Sequence, residues 1–169
     1  MHRAEGDRVP TESHRVVLDT NILVRALINH RSDSGRLLHA CERRRVIILL
    51  SRALLSEYRY VLNAPILTAR YPELKANKVK TAIERLMYVG DILRDIHTRF
   101  DFPRDRKDEK LLTLAIAGRA TDLVTTDHDL LDLPQGKDDA ARRFRQRLAD
   151  IAILSPDQFV RRHGQELGI

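Results

Sequence analysis

The chain alternates between short apolar runs and longer stretches in which apolar residues recur every three or four positions. The short runs have the length and composition of strands that are covered on both faces of a sheet. They lie at 16–19, 46–50, 92–96, 123–125 and 151–154. Strands that alternate with helices favour an α/β fold with a mostly parallel sheet.

The stretches between these runs have the periodicity of amphipathic helices, and glycine or proline marks several of their ends. Ser51 and Ser155 are placed to cap the helices that follow them, and Pro156 suits the first position of the last helix. The segment around Pro134 and Gly136 is predicted to be a loop. The predicted helices cover residues 22–29, 33–45, 52–62, 76–89, 107–117 and 140–148, and a last helix begins at Pro156.

A chain of 169 residues suits one domain and is long enough to bury a sizeable core. Gly6 and Pro10 interrupt any pattern near the start, so residues 1–15 are predicted to form a flexible lead-in. The pattern that follows has no internal repeat and no low-complexity segment. Residues 16–163 are therefore predicted to form a single domain.

The charge balance of the chain indicates what kind of molecule it binds. The formal net charge is +6 and the isoelectric point is about 9.8, which favours a polyanion such as nucleic acid without proving it. Aromatic residues make up only 5% of the chain and tryptophan is absent. This composition argues against a module that only binds single strands, because such modules stack bases on aromatic side chains.

The cysteine content and the hydropathy of the chain exclude several classes of protein. Cys41 is the only cysteine, which excludes an intramolecular disulfide and a cysteine-based zinc site, and its apolar surroundings predict a core position. No apolar run approaches the roughly 20 residues that span a bilayer, and the start lacks the apolar region of a signal peptide. A cytoplasmic protein without membrane contact is the expectation.

Carboxylates occur where strands should end and where helices should begin. Asp19 ends the first apolar run, Asp127 follows the run at 123–125, and Glu57 and Asp108 lie early in predicted helices. Ligands of open parallel sheets bind beyond the carboxyl ends of the strands. Acids that converge there repel one another, and a hard divalent cation relieves that repulsion. The pattern therefore predicts a metal site.

Each acid alone also has an ordinary interpretation. Asp19 could cap the helix that follows it, and Asp127 could cap a loop. Glu57 lies beside the buried stripe of its helix, where a carboxylate needs a partner or a cation. Acids such as Asp108 and Glu109 in a first turn are stabilised by the helix dipole. The pattern does not separate Asp108 from Glu109.

Four blocks of sequence, at 17–23, 56–58, 105–112 and 124–131, resemble the motifs of PIN domains in their order. The chain is similar to the toxin-type PIN proteins of prokaryotic toxin–antitoxin systems, over roughly residues 16–159. The resemblance implies a three-layer α/β/α sandwich around a parallel sheet. It also implies an endoribonuclease that depends on Mg²⁺ or Mn²⁺.

The resemblance carries over to this chain residue by residue. The catalytic and metal-binding acids that it implies are Asp19, Glu57, Asp108 and Asp127. Polar residues that it implies, or that lie beside those acids, are expected to support the site, and these are Asn21, Thr125, Asp129 and Glu109. The chain departs from the pattern at Thr126, where glycine is common, and at Glu109, which leaves the third acid uncertain by one residue.

The implied chemistry is hydrolysis of RNA phosphodiester bonds, with the acids holding one or two cations. His128 is an alternative proton donor, although metal catalysis needs no histidine base. The basic residues expected to meet backbone phosphates are Arg25, Arg52, Arg59, Arg104 and Lys110. A protein antitoxin and a homodimer are partners that only the toxin resemblance implies.

Three other functions fit parts of the pattern. A haloacid-dehalogenase-type phosphatase needs a second aspartate two residues after the first, where this chain has Asn21. A receiver-like domain needs paired acids near its start and a lysine after a late strand, where this chain has Asp127. A catalytically inactive PIN-like module for RNA binding or regulation is the third. The four acids argue against it, because an acidic cleft does not help to bind a polyanion.

Overall fold

The computed structural model describes residues 13–169, so nearly all of the lead-in predicted for residues 1–15 lies outside the described part of the chain. Five strands form one sheet in which every pairing is parallel, with the order β3-β2-β1-β4-β5. Arg15, which the sequence placed in the lead-in, begins the first strand. The strands are β1 (Arg15–Leu18), β2 (Ile47–Ser51), β3 (Asp91–Leu93), β4 (Asp122–Val124) and β5 (Ala152–Leu154).

Helices follow each strand, as the periodicity predicted. Two short helices, at Pro65–Arg70 and His128–Leu131, lie in segments that were not predicted to be helical. The helices are α1 (Thr20–Ile28), α2 (Asp33–Glu42), α3 (Arg52–Leu62), α4 (Pro65–Arg70), α5 (Ala76–Val89), α6 (Glu109–Ala117), α7 (His128–Leu131), α8 (Asp139–Arg147) and α9 (Pro156–Leu167).

The direction of winding reverses between β1 and β4. The chain moves from β1 through β2 to β3 on one side, and then crosses to β4 and β5 on the other side. Because such crossovers are right-handed, this reversal places helices on both faces of the sheet. Helix α6 packs on β1, β2 and β4, whereas α2 packs against α1, α5 and α9. The predicted α/β/α sandwich is confirmed.

Local sequence signals account for several of the helix starts. The Ser51 hydroxyl accepts a hydrogen bond of 3.2 Å from the Leu54 amide at the start of α3. Ser155 and Gln158 form a reciprocal capping box at the start of α9, and Pro156 occupies the first turn. These contacts satisfy amide groups that have no partner inside a helix. The two serine caps predicted from the sequence are confirmed.

The core lies between the sheet and its helices. Val16, Val17 and Leu18 of β1 are fully buried, as expected for a central strand. Cys41 is also fully buried, and burial raises the pKa of its thiol to about 12, so it is a core residue as predicted. Within residues 13–169, none of the helices combines the length and the apolar composition that crossing a bilayer requires.

A buried tyrosine joins α3 to the end of β1. The Tyr58 hydroxyl donates a hydrogen bond of 2.6 Å to the carbonyl oxygen of Leu18, and both residues are fully buried. Leu18 immediately precedes Asp19, and Tyr58 immediately follows Glu57. The hydrogen bond therefore fixes the position of one acid relative to another.

We expect Tyr58→Phe to lower the free energy of unfolding by about 1–2 kcal/mol, because it removes a buried donor and leaves the ring in place. Urea unfolding measures the effect. Tyr60→Phe is the matched control, since the Tyr60 side chain is 80% exposed and its loss should change little. Equal effects of the two substitutions would contradict the importance of the Tyr58 hydrogen bond.

Candidate metal centre

The four predicted acids occupy the carboxyl-terminal side of the sheet around the point where its winding reverses. Asp19 directly follows β1, and Asp127 follows the adjacent strand β4 and precedes α7. Asp108 ends a 3₁₀ turn just before α6, and Glu57 lies in the middle of α3. Ligands of open α/β sheets bind at this kind of switch point.

Thr125 links the acids that follow β1 and β4. Its hydroxyl donates a hydrogen bond of 2.7 Å to Oδ2 of Asp19, and the same oxygen accepts one of 3.0 Å from the Asp127 amide. Thr125 is fully buried and Asp19 is 8% exposed. Burial raises the pKa of the Asp19 carboxyl above its ordinary value, while the Thr125 hydrogen bond opposes that shift.

Glu57 is held by two contacts from other elements. The Thr20 hydroxyl donates a hydrogen bond of 2.5 Å to Oε2 of Glu57, and Lys110 Nζ lies 3.0 Å from Oε1. The Glu57 side chain is partly exposed. Sequence reasoning assigned no role to Thr20. The position of Thr20 directly after Asp19, where the first helix was expected to begin, was the feature of the sequence that could have identified it as a site residue.

Three aspartates form the centre of the site. Asp105, Asp108 and Asp127 each place a carboxylate oxygen within 4.8 Å of the oxygens of the other two. Sequence reasoning did not include Asp105 among the site residues. Its carboxylate accepts a hydrogen bond of 2.9 Å from the Lys107 amide, which is the ordinary capping role that its position suggests. The structure adds the proximity of Asp105 to Asp108 and Asp127.

Asp108 has the most unusual environment of these acids. Its Oδ2 is the only buried side-chain nitrogen or oxygen atom within residues 13–169 that lacks a hydrogen-bond partner. The pKa of the Asp108 carboxyl is raised to about 7, chiefly by burial and then by the nearby charges of Asp19, Asp105 and Asp127. Lys110 acts in the opposite direction. A buried carboxylate of this kind needs a proton or a cation.

These donors fit a hard divalent cation. Carboxylate oxygens are the ligands that Mg²⁺ and Mn²⁺ prefer, and the unpartnered oxygen of Asp108 lies within a cluster of such oxygens. Lys110 supplies one positive charge at the edge of the group through its contact with Glu57. That single ammonium leaves most of the negative charge of the acids uncompensated.

The structure places Asp108, rather than Glu109, in the cluster. Glu109 turns away from it, and its carboxylate accepts hydrogen bonds of 3.1 Å from the Phe102 amide and from Arg99. The hydrogen bond from Phe102 lowers the pKa of Glu109 below its ordinary value. The geometry therefore does not favour the supporting role at the metal that the sequence predicted for Glu109.

Three other predicted residues lie at or outside the edge of the site. Asn21 is exposed on α1, and no hydrogen bond among the described residues joins its side chain to the four acids. The Asp129 amide donates to Asp127 Oδ1 at 2.9 Å, but the Asp129 carboxylate faces Arg104 at 3.8 Å. His128 is exposed in the first turn of α7.

The basic residues that were predicted to bind phosphate lie in different parts of the surface. Lys110 is part of the site through Glu57, and Arg104 forms an ion pair of 2.6 Å with Asp138 beside α7 and α8. Arg52 and Arg59 line one groove together with Arg94. Arg25 lines a separate groove that also includes Thr126 and Asn29.

The pKa of Asp108 makes stability depend on pH. The folded value of about 7 lies above the ordinary value of 3.8, so the folded protein retains a proton that the unfolded chain releases. The contribution of Asp108 to the free energy of unfolding is therefore most favourable below about pH 4 and is lost as the pH rises to about 7.

In chelator-treated protein, we expect Asp108→Asn to remove the loss of stability that the wild type shows as the pH rises. The variant should gain stability over the wild type as the pH rises from 4 to 8, measured by urea unfolding at each pH. Glu73→Gln is the control, because Glu73 is exposed and lies outside the acidic cluster. A difference between Asp108→Asn and the wild type that stays constant across this range would contradict the assignment.

Comparison with known proteins agrees with this architecture. A family model described as a PIN domain matches residues 15–129, which is more than half of the chain. An uncharacterized protein of Methanocaldococcus jannaschii is 28% identical over 147 residues, which cover 86% of this chain and 89% of that protein.

One solved structure is a distant neighbour. The crystal structure of VapBC2 from Rickettsia felis bound to a DNA fragment from their promoter contains a chain with 17% identity and a TM-score of 0.47. The alignment covers 83% of this chain and 98% of that chain, and a likeness at this level carries no argument about function. The family match covers both β1 and β4 together with Asp19, Glu57, Asp105, Asp108 and Asp127, and we conclude that the chain belongs to the PIN-domain family.

Proposed function

We propose that this chain is a metal-dependent endoribonuclease that hydrolyses RNA phosphodiester bonds, with residues 16–163 acting as a single domain. The observation that carries the proposal is the buried oxygen of Asp108, which lacks a partner in the midst of other carboxylates. Membership of the PIN-domain family supports the same assignment. A protein that only binds polyanions gains nothing from such a cluster, since it repels phosphate.

The proposed cation is Mg²⁺ or Mn²⁺, with Asp19, Glu57, Asp108 and Asp127 as its ligands, directly or through water. Asp105 joins this set because its carboxylate is part of the same cluster. When bound, a hard divalent cation orients and activates the attacking water and neutralises charge that develops on the phosphate. The number of cations, one or two, is left open by the donor set.

The chain supplies the positioning. The Thr125 hydroxyl donates a hydrogen bond to the Asp19 carboxylate and accepts one from the Asp127 amide. Thr20 and Lys110 hold the two oxygens of Glu57 from opposite elements. The carboxylates of Asp19 and Glu57 therefore keep their direction before substrate arrives, so little reorganisation of these two groups is required during the reaction.

Lys110 has a further role in this proposal. Its ammonium lies 3.0 Å from Glu57 and is partly exposed, so it can also meet a phosphate oxygen at the edge of the site. Arg104, Arg25, Arg52 and Arg59 remain predicted contacts to the RNA backbone outside the acidic centre. The net charge of +6 favours their attraction to a polyanion over a longer range.

We further propose that the enzyme is the toxin of a toxin–antitoxin pair, a cytoplasmic homodimer inhibited by a protein antitoxin. The resemblance to toxin-type PIN proteins is the basis for this proposal. One surface supports a protein partner, because Tyr60 and Ile66 are 80% and 87% exposed and line one groove together with Tyr71. Tyr88 on α5 is 79% exposed as well.

Asp19→Asn is expected to lower metal-dependent cleavage of total cellular RNA by at least about 100-fold, because loss of even an outer-shell partner costs 10–100-fold. Gel analysis of RNA incubated with purified protein and Mg²⁺ or Mn²⁺ measures the rate, and excess EDTA should abolish it. Asp150→Asn is the control, since Asp150 is exposed just before β5.

Equal cleavage by the wild type and Asp19→Asn would contradict the proposed site. If a folded wild type binds RNA but shows no cleavage with either metal, the inactive RNA-binding module becomes the better interpretation. Circular dichroism of each variant verifies that the fold is retained.

Thr125→Val is expected to weaken Mn²⁺ binding by about 10–100-fold, because it removes the hydrogen bonds to Asp19 and Asp127 without changing the side-chain shape. Titration calorimetry with Mn²⁺ measures the affinity. Thr126→Val is a matched control, because no hydrogen bond among the described residues joins the Thr126 side chain to the acids. Equal affinities for the two variants would exclude the positioning role of Thr125.

A further inference from the structure

A second cluster of metal-ligating side chains lies at the opposite end of the sheet. His14 immediately precedes β1, Asp122 begins β4, and His163 lies in α9. The three side chains place ligand atoms within 4.8 Å of one another. Asp122 begins β4 and Thr125 directly follows it, so the two residues are about 10 Å apart at a rise of roughly 3.3 Å per residue, which separates this cluster from the acidic site.

The sheet brings these residues together. His14 continues the line of β1, because its carbonyl oxygen accepts a hydrogen bond of 2.8 Å from the Ile47 amide of β2. Val16 pairs with Asp122 across β1 and β4, and residues two apart in a strand face the same side. His14 and Asp122 therefore share a face of the sheet, on which α9 places His163.

The distances between donor atoms suit one small cation. His163 Nε2 lies 3.2 Å from Asp122 Oδ1, and His14 Nδ1 lies 3.7 Å from Asp122 Oδ2. Zinc bonds of about 2.0–2.1 Å in a tetrahedron separate the ligand atoms by roughly 3.3–3.4 Å. The observed separations lie on either side of that value, so small side-chain movements would complete the coordination.

An outer contact orients His14 as a metal-binding histidine requires. His14 Nε2 lies 3.4 Å from Glu166 Oε2, so a proton on Nε2 faces Glu166 and the lone pair of Nδ1 faces Asp122. Carboxylates commonly hold the second nitrogen of a metal-bound histidine in this way. The Thr121 hydroxyl also donates a hydrogen bond of 2.7 Å to Asp122 Oδ2.

Hydrogen bonds account for only part of the arrangement, because His163 Nε2 pairs with Asp122 Oδ1 at 3.2 Å whereas no hydrogen bond among the described residues joins His14 Nδ1 to Asp122. The separation of 3.7 Å between His14 and Asp122 is too long for a hydrogen bond. The ring centroids of His14 and His163 are 4.2 Å apart, so the two imidazoles lie close enough to share one ion. Asp122 is 2% exposed, and a buried carboxylate needs a positive partner. One divalent cation among three donors satisfies all of these groups.

We propose that His14, Asp122 and His163 bind one Zn²⁺ ion, with His14 bound through Nδ1 and His163 through Nε2. Two imidazoles and one carboxylate favour zinc over Mg²⁺, which prefers oxygen ligands alone. The histidine side chains are 15% and 12% exposed, which leaves access for water at a fourth position. The ion joins the segment before β1, the start of β4, and α9, so its binding stabilises the fold independently of the proposed nuclease activity.

The test is calorimetric titration of the chelator-stripped full chain with Zn²⁺ in excess Mg²⁺, which occupies the acidic site with a hard cation. We expect one Zn²⁺ per chain and a higher melting temperature. His163→Gln should weaken Zn²⁺ binding by at least tenfold and remove most of the rise in melting temperature. His39→Gln is the control, because the His39 side chain is 59% exposed on α2 and should leave binding unchanged.

His14→Gln provides a second variant if His163→Gln fails to fold by circular dichroism. Co²⁺ gives an independent readout, since its visible spectrum reports nitrogen ligands and should change in either variant. Absence of Zn²⁺ uptake by the folded wild type would overturn the proposal. Unchanged Zn²⁺ affinity in the two variants would overturn it as well, and would leave the cluster as a hydrogen-bond network.

Discussion

The structure depends on one constraint, which is that a parallel sheet brings the carboxyl ends of its strands to one edge. Strands β1 and β4 are neighbours at the point where the winding reverses, so Asp19 and Asp127 converge there. Asp108 enters the same space from the turn before α6. Burial, together with this crowding of carboxylates, raises the pKa of Asp108 to about 7, and one of its oxygens has no hydrogen-bond partner. The proposed cation would supply the positive charge that these carboxylates lack.

The surrounding residues keep the acids close despite their repulsion. Tyr58 fixes α3 to the end of β1, and Thr125 bridges the loops that follow β1 and β4. Thr20 and Lys110 fix Glu57 from two further elements. Since each contact comes from a different element, the acids cannot separate without disturbing the packed core. The fold therefore accepts a local loss of stability that the proposed metal restores.

The two ends of the sheet differ in donor chemistry. Oxygen donors gather beyond the carboxyl ends of the strands, where a hard cation suits them. Two histidines and Asp122 gather at the other end, where the donor set suits zinc. The short strand β4 connects the ends, with Asp122 at its start and Thr125 just after it. One strand thus contributes to a proposed catalytic centre and to a proposed stabilising site.

Local spacing and strand ends were enough to predict the alternation of strands and helices, the serine caps and the gathering of four acids at one edge of the sheet; the role of these acids at a metal stays a prediction. The short helices α4 and α7 escaped prediction, since four to six residues carry little periodicity. Tertiary structure decided that Asp108 joins the cluster while Glu109 turns to Phe102, and that Asp105 lies beside Asp127. The direction of a side chain depends on neighbours that are distant in the chain, and the local sequence pattern carries no information about those neighbours.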